Sequence, residues 1–202
     1  MKITDIITFK EKVIYLVVRG TDSKSGWIAK EYNQIDKNAT HIAIGFLINE
    51  KLKLFHISDE LSIRNDNLFF ESLDDFILRD DLKYLSIWEL KEIDNDHFNN
   101  IIKSLMNSLR ERQYFDKQIE FNNDVYYCSE YINDILSKNN INIFDDNIIL
   151  LKGIPKIFLG RDTLNYYPVD GFMQSNKVIK IFEWNSDIES SILRFFHRAK
   201  KK

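Results

Sequence analysis

The chain reads as an α+β protein in which an antiparallel sheet packs against helices. Three observations carry that expectation. The apolar runs "VIYLVV" (13–18) and "HIAIGFLI" (41–48) are rich in β-branched residues and have the length of buried strands. A polar "NEK" joins the second run to another strand-like run, as a hairpin requires. Later segments instead repeat apolar residues at helical spacing, so hairpin strands come first and helices cluster behind them.

Each element follows from local pattern. "KVIYLVVR" (12–19) predicts a strand and "GTDSKSG" (20–26) a loop. "WIAKEYNQI" (27–35) fits a short helix. Strands at 41–48 and 52–57 flank a turn at Asn49–Lys51. "LFFESLDDFIL" (68–78) has helical spacing, whereas "LKYLSIWEL" (82–90) alternates as a strand does. The clearest helix spans 94–112, capped by Asp94 or Asp96, with Phe98, Ile101, Ile102, Leu105 and Leu109 on one stripe. A second begins near Tyr126 or Tyr127, with Asp124 as N-cap, and carries Tyr131, Ile132, Ile135 and Leu136. "KVIKIFEW" (177–184) predicts a late strand, and 186–199 a closing helix capped by Asn185 or Ser186. No repeat or low-complexity block interrupts the 202 residues, so 1–202 is read as a single domain.

Composition narrows the function classes. With 44% hydrophobic and 29% charged residues the chain is globular in character, and only two prolines and six glycines argue against long linkers. A net charge of −3 gives no electrostatic case for a nucleic-acid partner. The basic tail "FFHRAKKK" (195–202) is the expected complement to a helix C-terminus. The apolar runs are too short for an integral membrane segment, and "MKITDIITFKEK" has charges where a secretory signal would be apolar. A single cysteine precludes an internal disulfide and suits a reducing, cytoplasmic setting. Oligomeric state is not legible.

That cysteine, Cys128, falls at the expected start of a helix. Unsatisfied N–H groups and the positive dipole end there favour a thiolate, and the Cys128 N–H is placed to help hold an oxyanion. Of the four histidines, His97 and His197 read as solvated. His41 opens one hairpin strand and His56 closes the next, so the two come out roughly opposite. Such a pair supplies a general base and the group that orients it. On spacing alone three readings stand: nucleophile and base, an inert thiol beside two satisfied histidines, or three zinc ligands without any close-spaced pair.

"YYCSEYINDIL" (126–136) resembles the Cys-Ser-Glu signature of the YiiX/YaeF-like proteins, in the circularly permuted branch of the NlpC superfamily of papain-like cysteine hydrolases. "ATHIAIGFLI" (39–48) is similar to that branch's histidine strand, and "FDKQIEF" (115–121) to the segment that precedes its cysteine. His56 in "LFHIS" matches the second histidine of the related lecithin:retinol acyltransferase-like enzymes, where many YiiX-like members look more like glutamate. The resemblance covers roughly residues 3–136. It implies a permuted papain-like (NlpC-type) fold with the nucleophile at a helix N-terminus: Cys128 as nucleophile, His41 as base, His56 orienting His41. The implied activity is a cysteine-dependent acyl-transfer hydrolase of amidase or peptidase type, acting through an acyl-enzyme without metal or organic cofactor. Its substrate class is a small peptide, amide or acyl-lipid. A lipid-directed thioesterase or acyltransferase of the same fold, and a catalytically silent binding domain, are the alternatives. Tyr127, Tyr126, Trp27 and Tyr166 are the candidates for substrate or oxyanion contact. Two features depart from the family: "TDIITF" (4–9) lacks the usual glycine, and 148–172 has no counterpart and is expected to lie over one side of the site as an extended loop.

Overall fold

Alternation along the apolar runs builds the sheet. The computed structural model describes residues 6–21, 24–117, 119, 123–144, 148–151, 153, 156–157 and 160–186, the side chains at 24, 25, 27, 28 and 149 excepted. Its elements run β1 (Tyr15–Gly20), α1 (Lys24–Tyr32), β2 (His41–Ile48), β3 (Lys51–Ile57), β4 (Leu68–Ser72), α2 (Leu73–Ile77), β5 (Tyr84–Leu90) and α3 (Asn95–Ser108). They continue with α4 (Cys128–Ser137), β6 (Ile148–Leu150), β7 (Thr163–Asn165), α5 (Val169–Gln174) and β8 (Val178–Asn185). Six strands make an antiparallel sheet in the order β4-β3-β2-β1-β5-β8, and β6 and β7 form a separate hairpin.

The pleat sorts side chains into two layers. Ile14, Leu16, Val18, Ile42, Ile44 and Phe55 face α3 and α4, meeting Ile101, Leu105, Ile132 and Leu136. Tyr15, Val17, Ala43, Leu54, Leu85 and Ile87 face the other way, against Leu73 and Phe76 of α2. Both histidines lie on this second side, because His41 has the parity of Ala43 and His56 that of Leu54.

The β2–β3 turn is tighter than the "NEK" reading. Asn49 and Glu50 both have positive φ, 49° and 63°, as a two-residue type I′ turn demands, and Lys51 already pairs with Ile48. Gly45 fits because the strands close tightly: a Cβ there would stand 2.0 Å from the Lys53 carbonyl oxygen.

Four boundaries differ from expectation. The segment 68–78 is a strand followed by a short helix, because Ser72 and Asp75 form a capping box that starts a new element in mid-pattern. The cysteine helix begins at Cys128, with Tyr127 as an extended N-cap that makes no side-chain cap bond, so Asp124 is not its cap. Helix α3 is capped by Asp94 and stops at Ser108, four residues short of the expected end. Helix α1 reaches back to Lys24, into the expected loop. The closing helix expected beyond Ser186 lies outside the described residues, as do parts of 148–172. Among the described residues no helix is long and apolar enough to cross a membrane.

Candidate functional site

A line of hydrogen bonds runs along the second face of the sheet. His41 Nε2 lies 2.9 Å from His56 Nδ1, and His56 Nε2 lies 2.8 Å from Glu71 Oε1. The β3–β4 register places Phe69 opposite His56 and Glu71 two residues further along the same face. The His56 ring stacks on Phe69 at 5.1 Å, while Phe76 of α2 stacks with His41 at 5.7 Å and meets His56 edge-on at 5.0 Å.

Geometry fixes the tautomers. Burial, then the charge of Arg19 and the neighbouring ring, holds His41 well below the usual imidazole range. Burial also lowers His56, against the opposing pull of Glu71. Neutral imidazole carries one N–H. Glu71 takes the one on His56 Nε2, so His56 Nδ1 accepts and His41 Nε2 donates. His41 Nδ1 is then the unprotonated nitrogen, free to act as a base.

The thiol arrives from the opposite layer. In β2, the residues with the parity of Ile44, Phe46 and Ile48 bond toward β3, but the observed pairing stops at Ile44↔Phe55. The ladder is therefore open at Ile42, and the Cys128 sulfur accepts the Ile42 N–H in the gap. It stands one peptide from His41. Burial pushes the Cys128 thiol up to about 11, against weaker lowering by the Ile42 and Ser129 bonds. The resting group is thus a neutral thiol. The helix-start argument for a thiolate is overturned because dehydration outweighs the terminal N–H groups and dipole.

The start of α4 is clamped on two sides. Tyr167 donates its N–H to Tyr127 Oη at 3.0 Å and accepts Ser129 Oγ–H at 2.6 Å. Asp116 N–H donates to the Tyr126 carbonyl, and Tyr126 N–H to that of Tyr114, both at 3.0 Å. Glu130, third in the helix, accepts the Tyr127 backbone N–H, and burial raises its carboxyl to about 8.

The other aromatic candidates separate. Tyr127 is buried and stacks on Tyr166 at 5.1 Å, and its hydroxyl oxygen accepts the Tyr167 N–H while its O–H remains a donor. Tyr166 is buried and bonds Ser129, the residue after Cys128. Tyr126 turns to Asp134 at 3.4 Å and packs edge-on against Tyr131. The Trp27 side chain lies outside the description. The sequence reading missed Glu71 and Arg19. The Ser72–Asp75 capping box was the available signal for the first, and a charge closing an apolar strand for the second.

No family model matches the sequence, and no curated protein matches it. Among solved structures, the metalloprotein YiiX from Escherichia coli O157:H7 matches with a TM-score of 0.65, covering 87% of this chain and 99% of that one at 10% identity. The fold is that of YiiX. YiiX is a metalloprotein, but the donor set here does not suit an ion. The facing nitrogens of His41 and His56 are spent on each other, and the second nitrogen of His56 on Glu71. Among the described residues no group of three or more His, Cys, Asp or Glu is placed to hold a metal. The zinc alternative therefore finds no geometric support.

Proposed function

We propose that the chain is a cysteine-dependent acyl-transfer hydrolase of amidase or peptidase type. The observation that carries this reading is the Glu71–His56–His41 line of hydrogen bonds, together with the bond of the Cys128 sulfur to the N–H of Ile42, the residue after His41. Such a line is needless around an inert thiol.

His41 Nδ1 takes the thiol proton as sulfur attacks the substrate carbonyl and the S–C bond forms. Charge on the resulting imidazolium is spread through His56 toward Glu71, as in a triad with one extra member. The Cys128 N–H, at the first turn of α4, faces the developing oxyanion. Collapse expels the amine or alcohol, which leaves with the proton from His41. Water then attacks the thioester, gives a proton to His41, and releases the carboxylic acid as the thiol is restored. A high resting thiol pKa means that proton transfer and attack are concerted rather than preceded by a stored ion pair.

Incubation with p-nitrophenyl acetate tests this, with mass spectrometry locating the acetyl group. The native chain is expected to acetylate once, at Cys128, with a rate that is level across neutral pH and rises only as the thiol itself ionises toward about 11. His41→Ala should slow the step by roughly 10²-fold, the usual worth of a positioned base. A native Cys128 that reacts no faster than in the urea-unfolded chain, and ignores His41→Ala, leaves a silent binding domain instead.

A further inference from the structure

Arg19, the last residue but one of β1, lies directly opposite His41 in the β1–β2 register. It is a buried cation, 6% exposed, with its guanidinium 4.2 Å from the centroid of Phe76, the ring that also stacks with His41. Nη1 donates to the Phe76 carbonyl, while Nε is buried with no hydrogen-bond partner. Among the described residues no carboxylate comes within ion-pair distance of it. The acids that might are engaged elsewhere: Glu60 is held by Arg79 at 3.1 and 3.3 Å, and Glu71 by His56.

A buried, unpaired guanidinium is strongly unfavourable unless something anionic completes it. The Cys128 sulfur is held by the N–H of Ile42, the residue after His41, and Arg19 faces His41 across the β1–β2 ladder, so the cation and the sulfur flank the same two residues of β2. The Arg19 charge acts on Cys128, His41 and Glu71.

We infer that Arg19 is the anion-recognition residue of the cleft, and that the acyl donor taken by Cys128 carries a carboxylate next to its reacting carbonyl. A planar fork with free donors suits a carboxylate better than a lysine would. The inference rests on Cys128 being the reacting group, but it makes a separate demand: the site must prefer an anionic electrophile over a neutral one of equal size.

Iodoacetate and iodoacetamide are such a pair, and the chain holds one thiol. Each reagent forms an S–C bond with loss of iodide, and the ratio of the two rates is read rather than either rate. Relative to the urea-unfolded chain, the native ratio should favour iodoacetate by roughly tenfold, the low end of focusing by a cationic cleft. Arg19→Gln should return the ratio to the unfolded value, and Arg19→Lys should keep part of the preference. Sodium succinate should protect the native thiol saturably, which needs no variant and covers the case where Arg19→Gln does not fold. A native ratio equal to the unfolded one, or one unmoved in a folded Arg19→Gln, overturns the inference. Failure of the hydrolase reading shows separately, as absent acetylation by neutral p-nitrophenyl acetate.

Discussion

Dehydration sets the charge states of the site's residues, and Glu130 shows it most plainly. Its carboxyl is third in the nucleophile's helix, accepts the Tyr127 N–H, and leaves Oε2 buried without a partner. Burial, with Asp116 and Asp134 nearby, raises it to about 8, from an ordinary value of 4.5. The folded state thus binds more protons than the unfolded chain between those two values. The stability it contributes is complete below pH 4.5 and is lost as pH rises through about 8. Glu130→Gln keeps the acceptor for the Tyr127 N–H without the ionisation. It should therefore flatten the decline between pH 5 and 9, gaining on the order of 2 kcal/mol over the native chain at the alkaline end. Urea unfolding at the two pH values measures this; an equal decline in both chains removes Glu130 as the titrating group.

Elements decide which residues meet, and the junction of β4 with α2 matters most. Leu68, Leu73, Phe76 and Ile77 mimic a continuous helical stripe, which is why the sequence reads 68–78 as one helix. The Ser72–Asp75 capping box breaks it, and the freed half becomes the edge strand that brings Glu71 to His56. Ser72→Ala should cost about 1 kcal/mol and slow acetylation of Cys128, because a frayed α2 start loosens Glu71; denaturant titration and acetylation rate measure the two effects. Loss of stability with an unchanged rate would detach Glu71 from the base. The strands bearing His41 and His56 were legible because a short hairpin ties local pattern to register. So was a helix carrying Cys128, and its family resemblance matches the observed YiiX fold. The roles of Glu71 and Arg19 were not legible beyond a capping box and a charge in an apolar run, since they arise from neighbours across the sheet. Nor was the thiol's charge state, which depends on burial that no local pattern encodes.

At the scale of the molecule, the site spans two layers that share only the sheet. Cys128 belongs to the helical layer with Ile132, while His41 and His56 lie with Phe76 and Ile87 beneath the other face. They come together only where the β2–β3 ladder opens at Ile42. A cavity should therefore act on the thiol according to its layer and not according to its cost. Ile132 and Ile87 are both fully buried, and truncating either to Ala should destabilise by about 2–5 kcal/mol. Ile132→Ala, one turn from Cys128, admits water near the sulfur, weakens the burial that holds its pKa near 11, and should speed native-state alkylation by iodoacetamide several-fold. Ile87→Ala, on the far face, should lose similar stability and leave that rate unchanged once alkylation through global unfolding is subtracted. Equal acceleration in both variants would mean that the thiol reacts only when the whole fold opens, and that the sheet does not separate the two halves of the site.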